Sequence, residues 1–221
     1  PFPVMDDIGP ISEEIRALDA FGAFAGSTLL EVGCGDGRLT AGMAGRVERV
    51  VGIDPSREAL RQAAAAVGRG LFCRASGESL PLPDQCFETV VFSLSLHHQH
   101  SRRALQEAAR VVATAGRILI MEPTLDSEVQ QLFHLFEDET AALQAAQKAI
   151  AASPLRVIRR GAFEADWQFP DKEDFSRYMF AYHDLRRNAA LEARLFHKLG
   201  AKVDDRPLVL KDKLCLLCLI L

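Results

Sequence analysis

The sequence predicts an α/β fold, with a doubly wound and mostly parallel sheet covered by helices on both faces. Three observations carry this. Short apolar runs alternate with stretches of helical periodicity, giving four helix-containing crossovers before Pro123. The first apolar run leads straight into a glycine-rich loop. Finally, 48% hydrophobic and 25% charged residues over 221 positions suit one globular domain with a sizeable core and a modest insertion.

Taken in order, Ser12 is placed to cap a first helix, with Glu13 and Glu14 in its first turn. Ile11, Ile15, Leu18 and Phe21 recur there at helical spacing. Residues 28–32 read as a strand, 36–45 as a helix, 47–53 as a strand, 56–67 as an Ala-rich helix and 71–74 as a strand. Pro81 and Pro83 mark a loop before a strand at 87–94. Ser101 can cap a helix at 102–112, and 117–121 is the next strand. After Pro123 the texture changes. Residues 126–152 read as one long helix, 161–169 as a strand, 171–199 as another helix and 208–221 as a closing strand or hairpin. The expected division is an N-terminal helix (1–26), a ligand-binding core (27–123), a helical lid (124–160) and C-terminal strands and helix (161–221).

Glycines directly after a strand let the chain turn tightly and bring bare backbone against a ligand. The loop is Glu31-Val32-Gly33-Cys34-Gly35-Asp36-Gly37. The next strand ends in Asp54, followed by Pro55, where a carboxylate can accept from a ribose diol. A dinucleotide site reads G-x-G-x-x-G and seats pyrophosphate on the next helix N-terminus. Here the spacing is G-x-G-x-G, and Glu31 and Asp36 bracket the loop. Two carboxylates would repel a pyrophosphate but tolerate an ammonium and a sulfonium. Charge therefore selects S-adenosyl-L-methionine over NAD.

The same segment resembles the first motif of class I S-adenosylmethionine-dependent methyltransferases. Later segments are similar to the small-molecule branch that includes ubiquinone and menaquinone biosynthesis methyltransferases. Gly77-Glu78-Ser79-Leu80-Pro81-Leu82 looks like that branch's adenine-side loop. Phe87-Glu88-Thr89-Val90-Val91, followed by Leu96-His97-His98, looks like its fourth strand. Glu107-Ala108-Ala109-Arg110-Val111-Val112 through Gly116-Arg117 looks like its next helix and turn. The resemblance covers residues 25–123 well. It implies a Rossmann-like sheet of seven strands with the last one antiparallel. By position it implies Gly33 and Gly35 against the methionine portion of the cofactor, Asp54 on the ribose, Ser76-Gly77 at adenine and Ser93 near the amino acid end. Glu31, Cys34 and Pro55 complete the expected cofactor site. Three positions depart from the family pattern: Ser76 and Glu88 each replace an Asp, and Thr114-Ala115 replace Pro-Gly.

Methyl transfer from a sulfonium is a direct displacement, so the protein mainly supplies alignment and sometimes a base. His97, His98 and His100 cluster near the expected pocket, and His98 is the candidate base, beside a purely structural reading of the same side chain. Glu122, at the end of the fifth strand, is the second candidate. No metal is expected, because adjacent residues on a strand point to opposite faces. Ser93-Leu94-Ser95-Leu96 stands where an Asn-Pro-Pro-Tyr-like motif would signal methylation of an amide or nucleobase nitrogen. Phe133, Phe136 and Leu143 would line the lid over a small, partly apolar methyl acceptor. The rival is a non-catalytic module of the same fold that binds cofactor and acts through a partner.

A net charge of −4 leaves no basic field for a nucleic acid. Five scattered cysteines fit a reduced, cytoplasmic protein better than a disulfide framework. The start, Pro1-Phe2-Pro3-Val4, shows no signal-peptide pattern, and the apolar run 214–221 is too short to span a bilayer.

Overall fold

The computed structural model describes residues 10–22 and 24–221. Helix α1 (Pro10–Gly22) leads into β1 (Thr28–Val32), α2 (Arg38–Ala44), β2 (Arg49–Asp54), α3 (Arg57–Ala66) and β3 (Gly70–Arg74). Next come β4 (Phe87–Ser93), α4 (Ser101–Val111), β5 (Val112–Pro123), α5 (Glu128–Phe133) and α6 (Thr140–Ala151). The chain closes with β6 (Arg156–Phe169), α7 (Lys172–Tyr182), α8 (Ala189–Leu199) and β7 (Leu208–Ile220). Seven strands make one sheet in the order β3-β2-β1-β4-β5-β7-β6. Strands β1 to β5 pair in parallel, and β7 runs antiparallel between β5 and β6. The expected doubly wound sheet is therefore what forms.

The central strands are apolar because both of their faces are covered. In β4, Val90, Val91 and Phe92 are all fully buried, each worth about 1.5–3 kcal/mol relative to exposure. Alternation along each strand splits the core in two. Leu30, Val32, Val90, Phe92, Ile118 and Ile120 pack on the face covered by α4 and α6. Leu29, Val50, Val91, Leu119 and Met121 pack on the other face, under α1 and α2. Strand β6 lies at the sheet edge, where exposed Arg156, Arg159 and Arg160 discourage pairing with another chain.

Strands β6 and β7 outrun their neighbours. Pro123, the last residue of β5, pairs with Leu214, while β6 and β7 stay paired as far as Phe169 and Leu208. This ribbon carries a third apolar cluster, with Val129, Leu132 and Phe133 of α5, Phe175 and Met179 of α7 and Leu195 of α8. The cluster caps the carboxyl edge of the parallel strands.

Several expected elements differ. The helix expected at 126–152 is two helices, α5 and α6, because Glu137, Asp138 and Glu139 oppose the helix dipole at the end of α5. Asp138 then accepts from the Thr140 N–H (3.0 Å) at the start of α6. The helix expected at 171–199 also divides. Asp184 adopts a left-handed φ of 50°, and Asn188 accepts from Ala190 N–H and Leu191 N–H to open α8. The β3–β4 connection is the loop that Pro81 and Pro83 mark, so three crossovers are helical and the expected count of four was one too many. Ser101 lies inside α4, its hydroxyl donating to the Leu96 carbonyl (3.1 Å) instead of capping. The closing segment is one strand, not a hairpin. The side chains of Ile11 and Ser12 lie outside the described residues.

Candidate functional site

The loop after β1 holds three glycines, Gly33, Gly35 and Gly37, at positive φ. At Gly35 a Cβ would meet nothing within 4 Å, so the bare backbone there borders open space. Asp54, at the end of β2, accepts from the Gly35 N–H (2.9 Å) and the Ser56 N–H (2.8 Å) and so braces the loop. Pro55 follows it, its carbonyl accepting from Arg74 Nε (2.9 Å). Cys34 turns inward, its Sγ lying 2.8 Å from where a Gly52 Cβ would stand. Asp36 accepts from the Arg38 N–H (3.2 Å) at the start of α2.

On the opposite side of the loop, Ser76 is exposed and its hydroxyl accepts from the Glu78 N–H (3.3 Å). Gly77 is buried, and a Cβ there would collide with Val32 and with Gln99 Oε1. That Gln99 oxygen is buried with no hydrogen-bond partner among the described residues. Its amide nitrogen donates to the Ser95 carbonyl (3.0 Å), so the oxygen is aimed by its own side chain. Sequence reasoning missed Gln99, and no residue pattern singled it out. Glu88 accepts from the Thr28 N–H (2.7 Å) and ties β4 to β1, a structural role.

The period-two alternation places two buried acids on opposite faces at the carboxyl edge. Glu31 points to the α1/α2 face, where the Ser93 and Thr40 hydroxyls donate to its two oxygens. Burial pushes its pKa up to about 7, against the pull of those hydroxyls and of Arg38. Arg38 is held in turn by Glu14, through contacts of 2.6 and 3.2 Å. Glu31 thus brackets the loop from beneath, as a buried floor. Ser93 is engaged in the same network.

Glu122 points to the α4/α6 face. Its Oε1 accepts from the Leu96 N–H (2.9 Å) and its Oε2 pairs with His97 Nδ1. His97 and His98 lie in the turn after β4, not on a strand, and their ring centroids are 3.9 Å apart. The argument that neighbouring histidines must diverge therefore fails here. Glu139, opening α6, faces both rings. Burial opposes charging His97, but Glu122 and Glu139 outweigh it and hold its pKa up. Burial and the adjacent His97 charge lower the pKa of His98, whose side chain remains half exposed.

Over this edge stands the aromatic cap. Tyr178 of α7 packs against Trp167, Phe169 and Tyr182. Tyr182 and Phe133 meet edge to face, and Phe136 stacks on His183 at 9° between planes. His183 Nε2 is buried without a partner among the described residues. Surface hollows of about 310 and 350 Å³ open beside Lys198, away from all of these groups.

A family model described as a methyltransferase domain matches residues 30–120. The uncharacterized methyltransferase YcgJ of Bacillus subtilis is 30% identical over 191 residues, covering 80% of this chain and 67% of the relative. The YcgJ crystal structure superposes with a TM-score of 0.63 at 20% identity, over 96% of this chain and 97% of that one. Ubiquinone/menaquinone biosynthesis C-methyltransferase UbiE of Enterobacter sp. (strain 638) is 34% identical over 116 residues, 48% of this chain and 46% of its own. A geranyl diphosphate C-methyltransferase of Streptomyces coelicolor A3(2) was solved with Mg2+, geranyl diphosphate and S-adenosyl-L-homocysteine. It shares the fold at a TM-score of 0.61 and 15% identity, over 95% of this chain and 78% of that one. The chain spans about half to two thirds of the length of the curated relatives it matches. It belongs to the class I S-adenosylmethionine-dependent methyltransferases. The braced glycine loop, the open space before Gly35 and the unpartnered Gln99 oxygen fit that family's methyl donor. Among the described residues, no helix is long and apolar enough to cross a membrane.

Proposed function

We propose that the chain transfers a methyl group from S-adenosyl-L-methionine to a small, partly apolar acceptor held between the histidine turn and the aromatic cap. One observation carries this reading. Helix α5 joins the two walls, since its Gln130 donates to Glu139, which faces both histidines, and its Phe133 meets Tyr182 edge to face. An acceptor beside it meets an aromatic wall and a titratable one, the mixture typical of small-molecule sites. The absence of a basic excess argues against a polynucleotide, and five free thiols fit a reducing, cytoplasmic setting.

Gly33, Cys34 and Gly35 would hold the methionine portion, with Ser93 and Glu31 as the floor beneath it. Asp54 and Pro55 would take the ribose. Ser76 and Gly77 would border the adenine, and Gln99 Oε1 would accept in place of the family's missing Asp. Bound there, the cofactor supplies an electrophilic methyl on sulfur. His98 is neutral near pH 7 and reaches solvent, so it can take the acceptor's proton; the charged His97 cannot. Glu122 acts through His97, fixing its ring and the turn that carries His98. Helices α5, α7 and α8 form the lid.

Turnover with a panel of small aromatic and aliphatic acceptors, read as S-adenosylhomocysteine release, tests this. Tyr182→Ala should raise the acceptor KM about tenfold or more and leave S-adenosylhomocysteine affinity unchanged. Activity confined to polynucleotides or proteins would overturn the acceptor class. An unchanged KM would remove Tyr182 from the site.

A further inference from the structure

We propose that His97 Nε2, His98 Nε2 and Glu139 Oε1 form a binding site for one divalent ion of the zinc class, with Glu122 and Gln130 as its supporting partners. The separations are the starting point. His97 Nε2 and His98 Nε2 each lie 3.6 Å from the same oxygen, Glu139 Oε1. That is too long for a hydrogen bond, which ends near 3.2 Å. It is close to the edge of a tetrahedral zinc shell, since two bonds of about 2.0–2.1 Å at a tetrahedral angle span roughly 3.4 Å. All three ligand atoms fall within 4.8 Å of one another.

The orientation of each ligand is fixed from behind. Glu122 holds His97 through Nδ1, and the His97 Nε2 that faces Glu139 gives up its proton when the ion binds. A carboxylate on the far nitrogen is the usual support of a metal-binding histidine. Gln130, itself buried, donates to Glu139 Oε2 (3.0 Å) and leaves Oε1 toward the two rings. A purely ionic reading accounts for His97 between two carboxylates. It does not account for a second imidazole packed against that cation with its own Nε2 aimed at the same oxygen. Two imidazoles and one carboxylate suit zinc, iron(II) or cobalt(II) better than magnesium, which prefers oxygen ligands.

Three protein ligands leave a tetrahedral ion one further position, the arrangement of catalytic rather than structural zinc. The turn lies at the carboxyl ends of β4 and β5, so that position would face an acceptor carrying oxygen. Its use there rests on the acceptor reading above; the binding does not. With the ion bound, His98 is occupied, and the ion takes over from it by making the acceptor's O–H more acidic.

Calorimetric titration of the full chain, freed of metal by a chelator and without cofactor, with Zn2+ alone tests the site. One equivalent should bind saturably. His98→Ala and Glu139→Gln should each weaken binding at least tenfold, and His100→Ala should not. His98 is half exposed, Glu139→Gln keeps the shape of a mostly covered side chain, and circular dichroism checks that each variant is folded. Co2+ should give the visible absorption of a tetrahedral site, lost in Glu139→Gln. Absence of a saturable site, or equal affinity in parent, His98→Ala and Glu139→Gln, would overturn the proposal. The methyl-transfer reading survives that failure, because neither cofactor nor acceptor enters the titration.

Discussion

Asp54 accepts from two backbone donors, Gly35 N–H and Ser56 N–H, so it shapes the glycine loop before any ligand arrives. Asp54→Ala removes that brace together with the ribose acceptor. Calorimetry should show S-adenosylhomocysteine weakened by about 2 kcal/mol, roughly thirtyfold. Full-strength binding would take Asp54 out of the site. Glu31 makes a different prediction. Its folded pKa, about 7, lies above its ordinary 4.5, so between those values the folded state holds the extra proton. The stability gained is complete below the ordinary value and is lost as pH rises through 7. Relative to its parent, Glu31→Gln should gain on the order of 2–3 kcal/mol between pH 4.5 and 8. Urea unfolding at both values reads this, and parallel curves would mean that Glu31 has the same pKa folded and unfolded. The positions of Glu31 and Glu122 were legible in the sequence. Their faces were not used, although alternation from Leu30 and from Ile120 assigns them. Gln99 was illegible, because what distinguishes it is a missing partner.

Among the elements, the parallel strands were legible because each is a short apolar run that must be covered on both faces. The helices after Pro123 were not, because apolar periodicity continues across both breaks. Two local signals marked them: the acidic run Glu137-Asp138-Glu139 and the capping Asn188. The correction has consequences. Ala146 and Ile150 of α6 join the sheet core, while α5 belongs to the cap. Removing 126–152 as one lid would therefore unroof the sheet. The cap rests on a six-residue α5, two eleven-residue helices, α7 and α8, and a two-stranded ribbon. Such a unit opens more readily than a central strand. Amide exchange should be faster throughout α5, α7 and α8 than in β1 and β4. Equal protection would mean that cap and sheet open as one, which excludes a lid.

At the scale of the molecule, chain order and spatial order diverge twice, first where β4 returns beside β1 and again after the parallel strands are complete. Strand β7 inserts between β5 and β6, and its partners lie far away in sequence. No local pattern announces such pairing, so the resemblance alone supplied it. The parallel half carries the glycine loop, and the β6–β7 ribbon carries the cap. A ligand seated between them contacts only the folded chain and must stabilise it by mass action, about 2.7 kcal/mol at one hundred times its Kd. For a chain of this size that corresponds to roughly 5–10 °C in Tm. S-adenosylhomocysteine at saturation should produce a shift of that order, enlarged if the cap closes over it. NAD at the same concentration should produce none. The reason is geometric as well as electrostatic: α2 opens at Gly37 with no side-chain cap, but the Asp36 carboxylate already occupies the Arg38 N–H that a pyrophosphate would need. Asp36→Asn keeps the shape and removes the charge, so it should leave the S-adenosylhomocysteine shift largely intact. A thermal shift with NAD equal to that with S-adenosylhomocysteine would mean that the loop reads adenosine alone, and the charge argument for the methyl donor would fall.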